Sequence, residues 1–314
     1  MRYAAAVARR LRQRSHEVIL TTRVHPDTIA LAKALSEKFV IVGKYNPASA
    51  YTRVLESTRR QLQLCKMLKK TLPDMAISHQ SPDMCRVAFG LGIPIITTSD
   101  APHAIAANKL TIALSNVLII SKALPLRFYK KYGPEKIIQF DGVDEVVWIR
   151  DYKPVDLEYE KPLILVRQME TKATYAVGKE DVTEMLARKL AKLGHVLFLS
   201  RYERHTRKNL AVSKEFVDSA SLAAHADLVV TVGGTISREA ALQGTPSIIV
   251  SSLGRLYINE YVTKRGFPLF TVKSSEVLGY AKKYLGKRFD VKGLLAELEN
   301  PVDVIERVVE EGVK

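Results

Sequence analysis

The chain has 314 residues, 47% of them hydrophobic and 26% charged, with a formal net charge of +15. That composition excludes a disordered or fibrous chain and leaves room for two globular domains. No apolar run approaches the roughly 20 residues of a membrane-spanning helix, and the opening segment lacks the unbroken apolar core of a secretory signal, so a cytoplasmic protein is expected.

Residues 1–12 carry the pattern of an amphipathic helix. Short β-type runs follow at 17–22, 39–42, 75–78, 94–98, 117–121 and 136–140. Between the second and third of these lies the clearest helical pattern, 48–72. There Tyr51, Leu55, Thr58, Leu62, Cys65 and Leu68 recur at spacings of three and four, with Arg and Lys between them, which predicts an apolar inner face. A polar connection at 151–162 comes next. Further strands are predicted at 163–167, 196–200, 228–232, 247–250 and 269–272. Strands alternating with helices imply parallel sheets covered on both faces. Cys65 and Cys85 sit among apolar helical neighbours and are expected to be reduced core thiols, with no disulfide framework and no metal site.

The two halves echo each other. Ser15-His16-Glu17-Val18-Ile19-Leu20 is similar to Gly194-His195-Val196-Leu197-Phe198-Leu199. The pattern Arg86-x-Ala88-x-x-x-Gly92-x-Pro94 matches Arg238-x-Ala240-x-x-x-Gly244-x-Pro246, with a glycine ending each helix and a proline introducing the next strand. The expected organisation is an N-terminal domain, 1–150, a linker, 151–162, and a C-terminal domain, 163–314, both of Rossmann-like type. The last helix is allowed to pack back on the first domain.

The most informative segment is Gly233-Gly234-Thr235, where an apolar strand passes into a helix that closes at Gly244. Glycines at such a turn let backbone approach a ligand, and the N–H groups and positive dipole end of the helix favour an anion. A diphosphate is the expected ligand, cradled by Gly233, Gly234, Thr235 and Ser237. A plain strand–helix turn capped by Thr235 is the alternative. Arg167 and Arg201 end strands of the second half and could pair with a phosphate. In the first half His79 and the pair Asp100 and His103 follow strands at their C-terminal ends, where imidazoles suit general-base work or sugar binding near neutral pH. The acids of Asp141-Gly142-Val143-Asp144-Glu145 could line the ligand side or cap the next helix.

Nearly the whole chain resembles the glycosyltransferase-B superfamily that includes the UDP-N-acetylglucosamine 2-epimerases and MurG-like transferases. More narrowly it is similar to the archaeal and bacterial DUF354 group. The resemblance is carried by Ala76-Ile77-Ser78-His79-Gln80-Ser81-Pro82, Val87-Ala88-Phe89-Gly90-Leu91-Gly92-Ile93-Pro94, Asp141-Gly142-Val143-Asp144-Glu145 and the run from Gly233 to Pro246. It implies an α/β fold of two Rossmann-like doubly wound domains with a cleft between them. It also implies that Glu239, the acid shortly after the glycine turn, contacts the ribose hydroxyls of a nucleotide. Such folds open with a β-strand, whereas this sequence starts inside the first helix. The central first strand and its loop are therefore expected to be missing, through a start codon placed too far downstream or a domain that lacks them.

The +15 charge is compatible with nucleic acid, an anionic membrane surface or a phosphorylated small substrate. The basic residues are dispersed and no nucleic-acid motif accompanies them, so nucleic acid is not expected. The function these residues imply is a nucleotide-sugar-dependent enzyme, a glycosyltransferase or UDP-sugar epimerase-like protein. Asp100, His103 and His79 are its candidate catalytic residues, a UDP-type nucleotide sugar its substrate, and it carries no covalently bound cofactor. The alternatives are a non-catalytic binder of nucleotides or anions on the same fold, and a basic lipid-acceptor transferase in peripheral contact with a membrane.

Overall fold

The computed structural model describes residues 1–24, 26–46, 48–171, 180–200, 210–212, 218–251 and 255–313. The chain divides into two compact units, Met1–Val147 with Glu299–Lys314, and Trp148–Leu298. The first unit contains, in order, α1 (Arg2–Gln13), β1 (Thr21–Val24), α2 (Pro26–Ala34), β2 (Val40–Lys44), α3 (Ala50–Leu68), β3 (Ala76–His79), α4 (Pro82–Gly90), β4 (Ile95–Thr98), α5 (Ile105–Thr111), β5 (Val117–Ser121), α6 (Arg127–Lys130) and β6 (Lys136–Phe140). Helix α7 (Val146–Ile149) spans the unit boundary. The second unit holds β7 (Leu163–Arg167), α8 (Thr183–Leu190), β8 (His195–Leu199), β9 (Ala211–Val212), α9 (Ser219–His225), β10 (Leu228–Thr231), α10 (Thr235–Leu242), β11 (Ser247–Val250), α11 (Tyr257–Lys264), β12 (Leu269–Val272), α12 (Val277–Tyr284) and α13 (Lys292–Glu297). The last helix, α14 (Pro301–Glu311), belongs to the first unit.

Every strand pairing is parallel. In the second unit the order is β12-β11-β10-β7-β8-β9, a doubly wound sheet. Alternate residues of its central strands serve opposite faces, as the pleat requires. Ile164, Val166, Val196, Phe198, Leu228 and Val230 join one core, Leu163, Leu165, Leu197, Leu199 and Val229 the other. In the first unit the strands form two sheets, β1-β2 and β3-β4-β5-β6. Among the described residues no strand joins β1 to β3.

The long helix α3 departs from its predicted face. Its buried residues are Glu56, Arg60 and Leu64, while Tyr51 is 74% and Leu62 56% exposed. The reason is electrostatic. Arg60 runs beneath the left-handed Gly43 of β2 to reach Asp83 at 3.3 Å, so an ion pair occupies the inner face. Cys65 lies on the exposed side of this helix and only Cys85 is buried, so the expectation of two core thiols is corrected to one.

Helices α4 and α10 both end as the repeated motif requires. Gly92 (φ +71°) and Gly244 (φ +78°) take the left-handed conformation just beyond each helix. At Gly244 the carbonyl of Phe289 fills the place of a Cβ.

Helix α14 is tied to α1 by ion pairs. Arg10 reaches Asp303 and Glu306 at 2.6 Å each, and Arg14 adds a second bond to Glu306. These arginines hold the Glu306 carboxyl below its usual 4.5. Its stabilising contribution is therefore present above that value and is lost as pH falls through the depressed pKa. Glu306→Gln is expected to lower Tm at pH 7, with an effect that shrinks as pH is lowered through the acid range, as read by thermal melts across pH. Gly244→Ala combines a left-handed main chain with a steric overlap, and is expected to destabilise by roughly 2–4 kcal/mol in denaturant melts.

Candidate functional site

Parallel sheets bring the C-terminal ends of their strands to one edge, and loops there carry the chemistry. In the first unit β3 delivers His79 to that edge and β4 delivers Thr98 and, two residues on, Asp100. The loop after β6 delivers Asp144. The His79 Nδ1 lies 2.7 Å from Thr98 Oγ1, and that hydroxyl is directed to the Ser78 carbonyl at 3.5 Å. The Thr98 hydroxyl thus sits between the imidazole and the Ser78 carbonyl, and the other ring nitrogen, Nε2, lies 3.9 Å from Asp100 Oδ1.

The electrostatics favour a neutral imidazole. Desolvation by its packed surroundings lowers the His79 pKa below 6.5, opposed by the charges of Asp100 and Glu145. Even so, 40% of the side chain stays open to solvent, so the ring can reach a ligand. Tyr3 of α1 covers it from one side, with ring centroids 5.3 Å apart. Tyr3 is only 8% exposed, and burial together with Asp144 keeps its phenol protonated. Ligand atoms of His79, Asp100 and Asp144 lie within 4.8 Å of one another, close enough to share one cation or the hydroxyls of a sugar.

Two of the three candidate catalytic residues, His79 and Asp100, are thus brought together. His103 lies on the exposed turn beyond β4, outside that trio. Tyr3 and Thr98 were not singled out by the sequence. Their roles depend on contacts between α1, β3 and β4, which no local spacing encodes.

In the second unit β10 ends at Thr231, beside Arg167 of β7 in register, and leads through Gly233 and Gly234 into α10. Part of the expected phosphate cradle is already engaged. The Gly233 N–H donates to Thr231 Oγ1 at 2.9 Å, and the Ser237 hydroxyl donates to the Gly233 carbonyl at 3.0 Å. Gly234 is the N-cap and makes no side-chain cap, so Thr235 stands at the first helical position, exposed, and is not the capping residue of the alternative reading. The first turn of α10 carries no acid, and its leading N–H groups have no acceptor within the helix.

The guanidinium of Arg238 fills the space where a Gly234 Cβ would stand, and its Nη1 donates to Asn259 Oδ1 at 3.0 Å. Gly234 thus makes room for this arginine as well as for a ligand. Glu239 is 1% exposed and accepts from Trp148 Nε1 at 2.9 Å. Arg201 lies outside the described residues. Trp148, Arg238 and Asn259 were missed, although an arginine one residue before the predicted ribose acid was a visible signal.

Two parallel α/β units, each with polar residues gathered at the C-terminal strand ends, make a fold of the glycosyltransferase-B kind. The chain belongs to the family described as "Protein of unknown function (DUF354)", whose model matches residues 1–314. It is 30% identical to the uncharacterized protein MJ0665 of Methanocaldococcus jannaschii, over 98% of this chain and 94% of that one. Among solved structures it resembles the UDP-GlcNAc 2-epimerase from M. jannaschii (TM-score 0.69, 14% identity, covering 99% of this chain and 96% of that chain). The UDP-GlcNAc 2-epimerase from Neisseria meningitidis bound to UDP-GlcNAc (0.66, 13%, 99% and 96%) and the spinosyn forosaminyltransferase SpnP (0.64, 16%, 99% and 95%) are similar in the same way. These likenesses establish the fold.

The Asp100 charge raises the His79 pKa against desolvation. Asp100→Asn is therefore expected to move it further down, so that the imidazole protonates at lower pH than in the wild type. Histidine Cε1–H resonances titrated by NMR, with His79→Gln as the assignment control, measure this directly; an upward or absent shift would contradict the electrostatic account.

Proposed function

We propose that the chain is a nucleotide-sugar-dependent enzyme of transferase or epimerase-like chemistry. The second unit would bind the nucleotide diphosphate and the first would act on the sugar or acceptor. The observation that carries this reading is the turn from β10 into α10, with paired glycines and a helix end that has neither an acid nor a side-chain cap. A diphosphate at that end would accept backbone N–H groups and meet Arg167 from the adjacent strand. Negative charge growing on the departing diphosphate would be stabilised by the same preorganised dipoles. Glu239 would take ribose hydroxyls beside the indole of Trp148.

In the first unit the neutral His79 would act as general base, with Asp100 stabilising the imidazolium that results. In glycosyl transfer the proton would come from an acceptor hydroxyl, and in epimerisation by elimination from a sugar carbon. The similar solved structures support this assignment, since both transferases and UDP-GlcNAc 2-epimerases are among them.

The sequence contains a single tryptophan, so its emission reports on Glu239 directly. Titration with UDP and UDP-sugars is expected to change Trp148 fluorescence, and Glu239→Ala to weaken binding about tenfold or more. The 2′-deoxy analogue should bind the wild type more weakly and the variant with no further loss. No binding by any nucleotide would sink the proposal. Binding that survives Glu239→Ala would remove Glu239 as the ribose contact, and binding without turnover of any UDP-sugar would leave a binding protein in place of an enzyme.

A further inference from the structure

A second polar pocket lies at the ligand-facing end of the small sheet in the first unit. Arg23 of β1, Lys44 of β2, Tyr45 and Arg53 of α3 line a cavity of about 120 Å³, floored by Glu56 and Asp83. The two acids are already matched. Asp83 takes Arg60 at 3.3 Å and the Ser57 hydroxyl, and Glu56 takes Arg59 at 2.8 Å with Lys44 at 3.7 Å. Arg23 and Arg53 are not. The Arg23 guanidinium stacks over the Tyr45 ring at 5.0 Å, and Arg53 Nε donates to the Ser49 carbonyl at 3.3 Å. Among the described residues neither is paired with a carboxylate.

Two further observations indicate an anion. Arg60, behind the pocket, is 6% exposed, and its Nε has no hydrogen-bond partner. The charge of Arg23 also acts unfavourably on Arg60, so like charges are held together against their repulsion. Arg60 keeps Asp83 as its partner, yet its buried Nε is left without an acceptor, and crowded guanidinium groups are costly unless further negative charge accompanies them.

We propose that this pocket is an anion site, distinct from the glycine turn of the second unit, and that it takes a phosphomonoester group. Two unmatched guanidinium groups offset a phosphomonoester dianion better than a single carboxylate, and their planar forks suit phosphate oxygens. The stacking of Arg23 on Tyr45 holds one fork in place before the ligand arrives. The inference does not depend on a nucleotide binding elsewhere. A phosphate group carried by a soluble metabolite and one carried by a lipid headgroup present the same chemistry here.

The test is calorimetric titration with inorganic phosphate and with glycerol phosphate, at an ionic strength held constant with chloride. It is run on the wild type, on Arg23→Gln, Arg53→Gln and their combination, and on Arg86→Gln as an exposed arginine outside the pocket. Each pocket variant is expected to weaken phosphate binding about tenfold, Arg53→Lys to fall between the wild type and Arg53→Gln, and Arg86→Gln to leave it unchanged. UDP titration of the double variant, with its melting temperature, reports separately on the second unit and on folding. Co-sedimentation with phosphatidylcholine vesicles containing phosphatidic acid separates the sources: capture lost in the double variant assigns the lipid, and phosphate binding without capture assigns the soluble one. Equal phosphate affinity in the wild type and the double variant, or no heat beyond the chloride control, overturns the proposal.

Discussion

Parallel pairing is the constraint on which the rest of this molecule depends. A parallel ladder needs a crossover between successive strands, and those crossovers bury both faces of the sheet. Charged side chains are then excluded from the interiors of the central strands and collect where those strands end. In the second unit β7, β10 and β11 are buried almost throughout, and polar character resumes at Arg167, Thr231 and Gly233. In the first unit Ser78 and Thr97 are buried within β3 and β4, and ionisable side chains appear at His79 and Asp100. The chemistry sits at one edge because the ladder leaves it nowhere else to go.

The same constraint governs how the basic residues are used. A net charge of +15 describes the whole chain, but many arginines are structural fasteners. Arg10 and Arg14 bind Glu306, Arg60 crosses the inner face of α3 to Asp83, and Arg150 donates to carbonyls at the end of α13. The last suits a cation at the negative end of a helix. Arg238 is placed the other way, in the first turn of α10. A cation at the positive end of a helix is electrostatically unfavourable by itself, and a bound anion would reverse that balance.

What could be read from the sequence divides along the same line. Signals that are local in the chain came through clearly: the alternation of strand and helix, the glycines at 92 and 244 that end two helices, and the turn at Gly233 and Gly234. The positions of His79 and Asp100 at the ends of their strands were also readable, with His79 closing β3 and Asp100 two residues beyond β4. What failed required knowledge of a partner far along the chain. The inner face of α3 was misjudged because Arg60 is buried by an acid 23 residues away. Trp148 gave no sign of meeting Glu239, 91 residues on, and Tyr3 gave none of covering His79. Periodicity weighs hydrophobicity and cannot foresee that a charge will be buried in a pair.

Gly233 and Gly234 show why the fold leaves the chemistry open. Two glycines before a helix look like a ligand cradle, yet one N–H is held by Thr231 and the space above the other glycine is held by Arg238. What remains for an anion is narrower than the motif implies: the leading amides of α10, Arg167 and the neighbourhood of Arg238. Such reuse of donors distinguishes one member of a fold from another, since the backbone path is shared while the side chains that close or open it are not. In this chain the geometry of the glycine turn rests on residues outside the motif. Thr231 fixes which amide faces inward, and Asn259 fixes where the arginine lies.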